Sequence, residues 1–211
     1  MDKFTNTEVL FLGAHPDDIE IGCLGVIHLL SGLGCNLTFC ICTSKDERKK
    51  EFNKSVNHLR QNGLNIIESY TLDFKDTKLF EQRSELKDEL NNLFENKKFD
   101  YIFTHSKSDL HQDHRLIAEI TLELFRGPNI LSYEIPKFDG NPFNPKMFFC
   151  FGRAIMQKKV DHLMAHYQSQ HNKAWYRPST FEGTMSLRGV ETGKCFAEGF
   201  EVIKYIIDEE K

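Results

Sequence analysis

VLFLGAHPDDIEIGCLGVIHLL, residues 9–30, is the stretch on which the fold turns. An apolar run over 9–15 meets Pro16, and apolar positions then recur at three- and four-residue spacing across 19–33. That is a buried strand feeding a helix. His15, Asp17 and Asp18 stand at the junction. One carboxylate there is an ordinary helix cap, accepting backbone N–H bonds. Two carboxylates behind a histidine exceed what a cap needs and suggest a metal site or an elaborate turn.

The same alternation continues outward. Strands are predicted at 9–15, 37–43, 66–72, 100–105 and 130–135, and helices at 19–33, 46–62, 81–96 and 112–126, the second opening on Asp46 as its N-cap. Strand–helix repetition of this length implies right-handed βαβ units. The expectation is an α/β fold: a single Rossmann-like domain over 1–211, mainly parallel, with strand order 3-2-1-4-5 plus C-terminal additions and helices on both faces. After Pro136 the pattern breaks. Residues 136–146 hold three of the six prolines and read as a loop, 147–151 as one more strand and 153–168 as a helix. The glycine-rich 172–194 reads as irregular, and an apolar segment from Cys195 closes the chain.

Composition narrows the function classes. The 211 residues are 40% hydrophobic and 27% charged, with net charge −4, which disfavours a nucleic-acid-binding surface. The opening residues lack the apolar core of a signal peptide and no apolar run is long enough to span a bilayer, so no membrane partner and a cytoplasmic location are expected. The six cysteines contain no C-x-x-C pair and sit mostly in apolar stretches, as buried free thiols do. A dinucleotide site would need G-x-G-x-x-G at the first strand-to-helix turn; GAHPDD stands there instead, and two carboxylates repel a phosphate.

A second cluster follows the fourth strand: THSKSDLHQDHR, residues 104–115, with His105, Asp109, His111, Asp113 and His114. In the order 3-2-1-4-5 the first and fourth strands are neighbours, and ligands bind beyond their carboxyl ends. The two clusters should therefore face one crevice. Two histidines and a carboxylate on a metal, with a position left for water, make a catalytic arrangement. Such a donor set favours Zn2+, with Fe2+ or another divalent metal also compatible. The residues alone leave open which of His111 and His114 is the ligand. They also leave two rivals: a non-haem iron(II) oxygenase, and a metal- or sugar-binding protein without turnover. His28 and His58 read as structural or solvated, while His162, His166 and His171 receive no role.

AHPDDIEIGCLG followed by HQDH resembles the LmbE/PIG-L family of zinc-dependent N-acetylglucosaminyl deacetylases. Arg48-x-x-Glu51, Asp76-x-x-Leu79, HYQSQ at 166–170 and RGVETGKCFAEGF at 188–200 resemble its weaker patterns. The resemblance implies hydrolysis of the N-acetyl group of an amino sugar within a larger soluble conjugate: a thiol-cofactor precursor, a nucleotide sugar or a cell-envelope sugar. It makes His15, Asp18 and His114 the metal ligands, Asp17 the general base, and His111, protonated, the group that stabilises the oxyanion. Asp113 would orient His111, and Arg48 and Asp76 would contact the sugar. Some members carry an arginine after the fifth strand that pairs with the base; 130–145 contains none, which leaves the partner of Asp17 unassigned. The expected partner is a small amino-sugar molecule, and a homo-oligomer is compatible with the sequence.

Overall fold

The protein is described here, as a computed structural model, over residues 2–137 and 142–207. Each apolar run of the first half is a strand: β1 (Glu8–Gly13), β2 (Asn36–Thr43), β3 (Ile66–Phe74), β4 (Tyr101–His105) and β5 (Asn129–Tyr133). Helices α1 (Asp18–Gly32), α2 (Asp46–Gln61), α3 (Arg83–Phe94) and α4 (Gln112–Leu124) connect them. The five strands pair in parallel in the expected order 3-2-1-4-5. Alternation along β1 shows why they are apolar throughout. Val9 and Phe11 enter one core with Phe39 and Phe103, and Leu10 and Leu12 enter the other with Cys40 and Ile102. A parallel sheet covered on both faces needs apolar residues at every position.

The C-terminal part comprises β6 (Met147–Phe151), α5 (Arg153–His166), α6 (Pro178–Thr192) and β7 (Phe196–Lys204). β7 lies antiparallel beside β5, and β6 pairs antiparallel with it as the last strand of the sheet. The glycines of the opening stretch seat α1 against these strands. A Cβ on Gly22 would lie 2.3 Å from the Tyr133 ring, and one on Gly25 2.4 Å from that of Phe151. Buried Glu198 of β7 accepts the backbone N–H groups of Gly25 and Val26, each at 2.7 Å, and pairs with Lys159 at 2.6 Å. The late strands are thereby tied to the helix that begins with Asp18.

Three expectations need correction. Within 172–194, α6 is a helix: Pro178 opens it, Phe181 and Met185 bury one face, and Gly193 ends it at φ +66°. Its glycines lower helix propensity enough to mask the pattern, but tertiary burial supplies what propensity lacks. The N-cap of α2 falls on Lys45 rather than Asp46. Of the six free cysteines four are buried, whereas Cys150 and Cys195 are exposed. Part of the expected proline-rich loop, 138–141, lies outside the described residues.

Candidate active site

β1 and β4 are adjacent, with Phe11 opposite Phe103, so the segments that leave them meet in one crevice. Asp17 occupies the N-cap position of α1 without capping it. Its φ is +100° and its side chain makes no cap bond. A positive φ is uncommon for a residue with a side chain, and such strain, on the order of 1–3 kcal/mol, gathers at functional sites. Asp18 closes the turn instead: its N–H donates to the His15 carbonyl at 3.2 Å and its Oδ2 accepts the His15 N–H at 2.7 Å.

The two adjacent carboxylates meet different partners. Asp17 Oδ1 accepts from Arg48 Nη2 at 2.6 Å, and the same guanidinium nitrogen donates to the Pro16 carbonyl. Arg48, expected as a sugar contact, is therefore the partner of Asp17 that 130–145 did not contain. It reaches the site from the first turn of α2 and still lines the crevice. Burial pushes the Asp17 carboxyl up, with Arg48 pulling against it. Burial acts on Asp18 in the same sense, but His114, His15 and His105 outweigh it and hold that carboxyl well below its usual range. Neighbouring carboxyls driven in opposite directions are the mark of divided acid–base roles.

A divalent cation fits between three of the donors. His15 Nδ1, Asp18 Oδ2 and His114 Nε2 form a triangle with sides of 3.1, 3.5 and 3.3 Å. Donors on a tetrahedral metal at about 2.0–2.2 Å stand roughly 3.3–3.6 Å apart. Both histidines have a carboxylate behind the ring. His15 Nε2 lies 3.1 Å from Asp76 Oδ1 and 3.3 Å from Asp113 Oδ2, and His114 Nδ1 lies 2.7 Å from Asp109 Oδ2. Such partners orient metal-binding imidazoles and raise their basicity. Asp18 Oδ1 is buried with no hydrogen-bond partner. His15, despite burial, is raised to about 10 by Asp18, Asp113 and Asp76.

The other two histidines are partly committed. His105 Nε2 accepts the Ala14 N–H at 2.9 Å, and its ring stacks on His114 with centroids 3.9 Å apart. His111 Nδ1 accepts the Asp113 N–H at 3.3 Å, which leaves the proton of the neutral ring on Nε2. Burial, followed by His114 and His15, lowers His111 to about 4. Both the hydrogen bond and the lowering favour the neutral ring, whose Nε2–H is then a donor, over the cation expected. Asp113 touches both rings: its backbone N–H holds His111 Nδ1, while its carboxylate meets His15 and the Thr77 N–H at 2.8 Å.

A cavity of about 200 Å³ opens over this cluster, lined by Asp17, Arg48, Asp76, Lys137, Lys173 and Trp175 among others. Asp109, His105, Lys137, Lys173 and Trp175 have no role legible from the sequence. Lys137 Nζ comes within 3.3 Å of His114 Nε2 from the segment after β5, where some members of the family carry an arginine. Lys173 lies 5.9 Å from the ring of Trp175, the chain's single tryptophan. Only their place near HYQSQ hinted at them.

The family described as PIG-L, GlcNAc-PI de-N-acetylase, matches residues 10–125, more than half of the chain and all of both motif turns. A protein of Escherichia coli described as the uncharacterized deacetylase YaiS is 28% identical over 137 residues, 61% of this chain and 74% of that one. The N,N'-diacetylchitobiose deacetylase of Pyrococcus horikoshii superposes with a TM-score of 0.75 at 21% identity, over 93% of this chain and 84% of that chain. The 4-carboxy-2-hydroxymuconate hydratase GalB of Pseudomonas putida does so with a TM-score of 0.67 at 15% identity, over 96% and 98%. At such identities the solved structures show a shared fold, and the fold carries more than one reaction. With both motif turns inside the matched segment, the chain belongs to the PIG-L family of GlcNAc-PI de-N-acetylases, enzymes that hydrolyse an amide bond.

Proposed function

We propose that this enzyme removes the N-acetyl group from an N-acetylglucosamine-type amino sugar within a larger soluble conjugate, releasing acetate and a free amine. The observation that carries the reading is the His15–Asp18–His114 triangle beside an Asp17 that takes no part in it. Those three residues hold a divalent metal, Zn2+ by donor type, with Fe2+ the next candidate. When bound, the metal polarises the amide carbonyl and acidifies a water.

The remaining chemistry belongs to the chain. Asp17 accepts a proton from the attacking water as the new C–O bond forms, and its raised carboxyl suits a base that must return that proton. Arg48 fixes the Asp17 carboxylate through Oδ1. His111 donates its Nε2–H to the developing oxyanion. When the C–N bond breaks, Asp17 delivers the proton to the departing amine. Trp175 offers a ring face to the sugar, and Lys137 and Lys173 favour a conjugate with an anionic group, which agrees with a thiol-cofactor precursor or a nucleotide sugar.

The test is acetate release by metal-loaded protein from N-acetylglucosamine conjugates, run with and without oxygen. Acetate from at least one conjugate, independent of oxygen, is expected. Oxygen-dependent turnover, or no acetate together with hydration of an unsaturated acid, would sink the reading. A second expectation concerns pH. The Arg48 cation lowers the Asp17 carboxyl, so Arg48→Gln should raise it further. The acidic limb of the kcat/KM profile should then move to higher pH by about one unit. An unmoved limb would remove Arg48 from the role.

A further inference from the structure

α2 and α5 pack together and gather three histidines the catalytic reading does not use: His58, His162 and His166. Each offers a ring nitrogen within 4.8 Å of the other two, and the ring centroids stand 4.4, 4.7 and 5.6 Å apart. His162 and His166 are four residues apart on α5, so they share a face. The cluster lines a cavity of about 300 Å³ with His28 and Asp161, and that cavity shares no lining residue with the catalytic crevice.

Clustered imidazoles alone need bind nothing. The informative atom is His162 Nδ1, which is buried and has no hydrogen-bond partner on a residue only 6% exposed. The other nitrogen explains its state. Ser55 Oγ donates its single proton to Glu20 Oε1 at 2.5 Å and lies 2.7 Å from His162 Nε2. With that proton spent, Ser55 can only accept, so Nε2 carries the hydrogen and Nδ1 is left as a bare lone pair. A ring tethered through one nitrogen by a hydroxyl–carboxylate relay, with the other nitrogen free, is how imidazoles are held for metal binding. His58 is exposed and His166 half-buried, so both rings can adjust to a common centre.

We propose that His58, His162 and His166 form a second transition-metal site, separate from the catalytic one. Three neutral imidazoles select a borderline cation of the Zn2+, Ni2+ and Cu2+ group over Mg2+ or Ca2+, and the cavity leaves the fourth position to water. Ser55 is the positioning residue, and through Glu20 it ties the cluster to α1.

The test is zinc content and affinity of the full chain after equilibration at fixed free Zn2+. His58→Ala and His166→Ala should each lose one equivalent relative to wild type, whatever the crevice holds, with acetate release unchanged. Asp18→Asn should keep the cluster's equivalent, and Cu2+ bound to that variant should show imidazole nitrogen coupling by electron paramagnetic resonance. Ser55→Ala should weaken this site by about 10- to 100-fold, the usual cost of losing a partner behind a ligand. Metal content unchanged in either histidine variant, or no nitrogen coupling in copper-loaded Asp18→Asn, overturns the proposal.

Discussion

Asp17→Asn is expected to lower kcat by about 100- to 10,000-fold while leaving metal content and fold intact, because proton transfer by a placed carboxylate is worth that much. Asparagine keeps the shape of the side chain and tolerates the left-handed backbone at this position. It also keeps an oxygen for Arg48. What it loses is the ability to take a proton. KM should change little, since the amide still fills the same volume at the edge of the cavity. Metal analysis alongside steady-state kinetics checks this, and a metal-loaded variant with full activity would remove Asp17 from the chemistry.

The same substitution one residue later should do the opposite to the metal. Asp18→Asn preserves an acceptor for the His15 N–H but removes the charge that three histidines share. Metal affinity should fall by at least about 100-fold, and activity by roughly 1000-fold or more once the Lewis acid is gone. Uptake by the unaltered protein should also release a proton. His15 titrates near 10 in the metal-free chain, so at neutral pH its ring is charged and must lose that charge to bind. Affinity should therefore strengthen as pH rises toward that value. Calorimetry in buffers of differing ionisation enthalpy counts the protons, and affinity independent of pH would contradict the arrangement.

Much of this was legible in the sequence because the informative signals are local. Apolar runs of strand length between helical patterns dictate a parallel sheet, and strand order alone brings residues 15–18 and 105–114 to one crevice. Roles that depend on distant partners were not legible. Nothing near Arg48 says that its guanidinium crosses from α2 to Asp17, and the segment after β5, where the resemblance places such an arginine, holds none. Asp113 adjoins His114 in sequence yet serves His15, because the turn at Thr77 donates its N–H to the same carboxylate oxygen. The lowering of His111 was not legible because it comes first from burial and then from His114 and His15, the latter nearly a hundred residues away in the chain. α6 was hidden because glycines weakened its helical pattern while its packing partners lay elsewhere in the chain.

The left-handed backbone at Asp17 restricts which residues the site admits. Glycine, asparagine and aspartate enter that conformation most readily, and of these only aspartate has a side chain that can take up a proton and return it. Fold and reaction thus overlap in a single letter of the alphabet. On the proposed mechanism, a chain with either of the other two letters should fold and bind metal yet turn over slowly. Whether a relative is active can therefore be judged first at this residue, before any resemblance elsewhere is weighed.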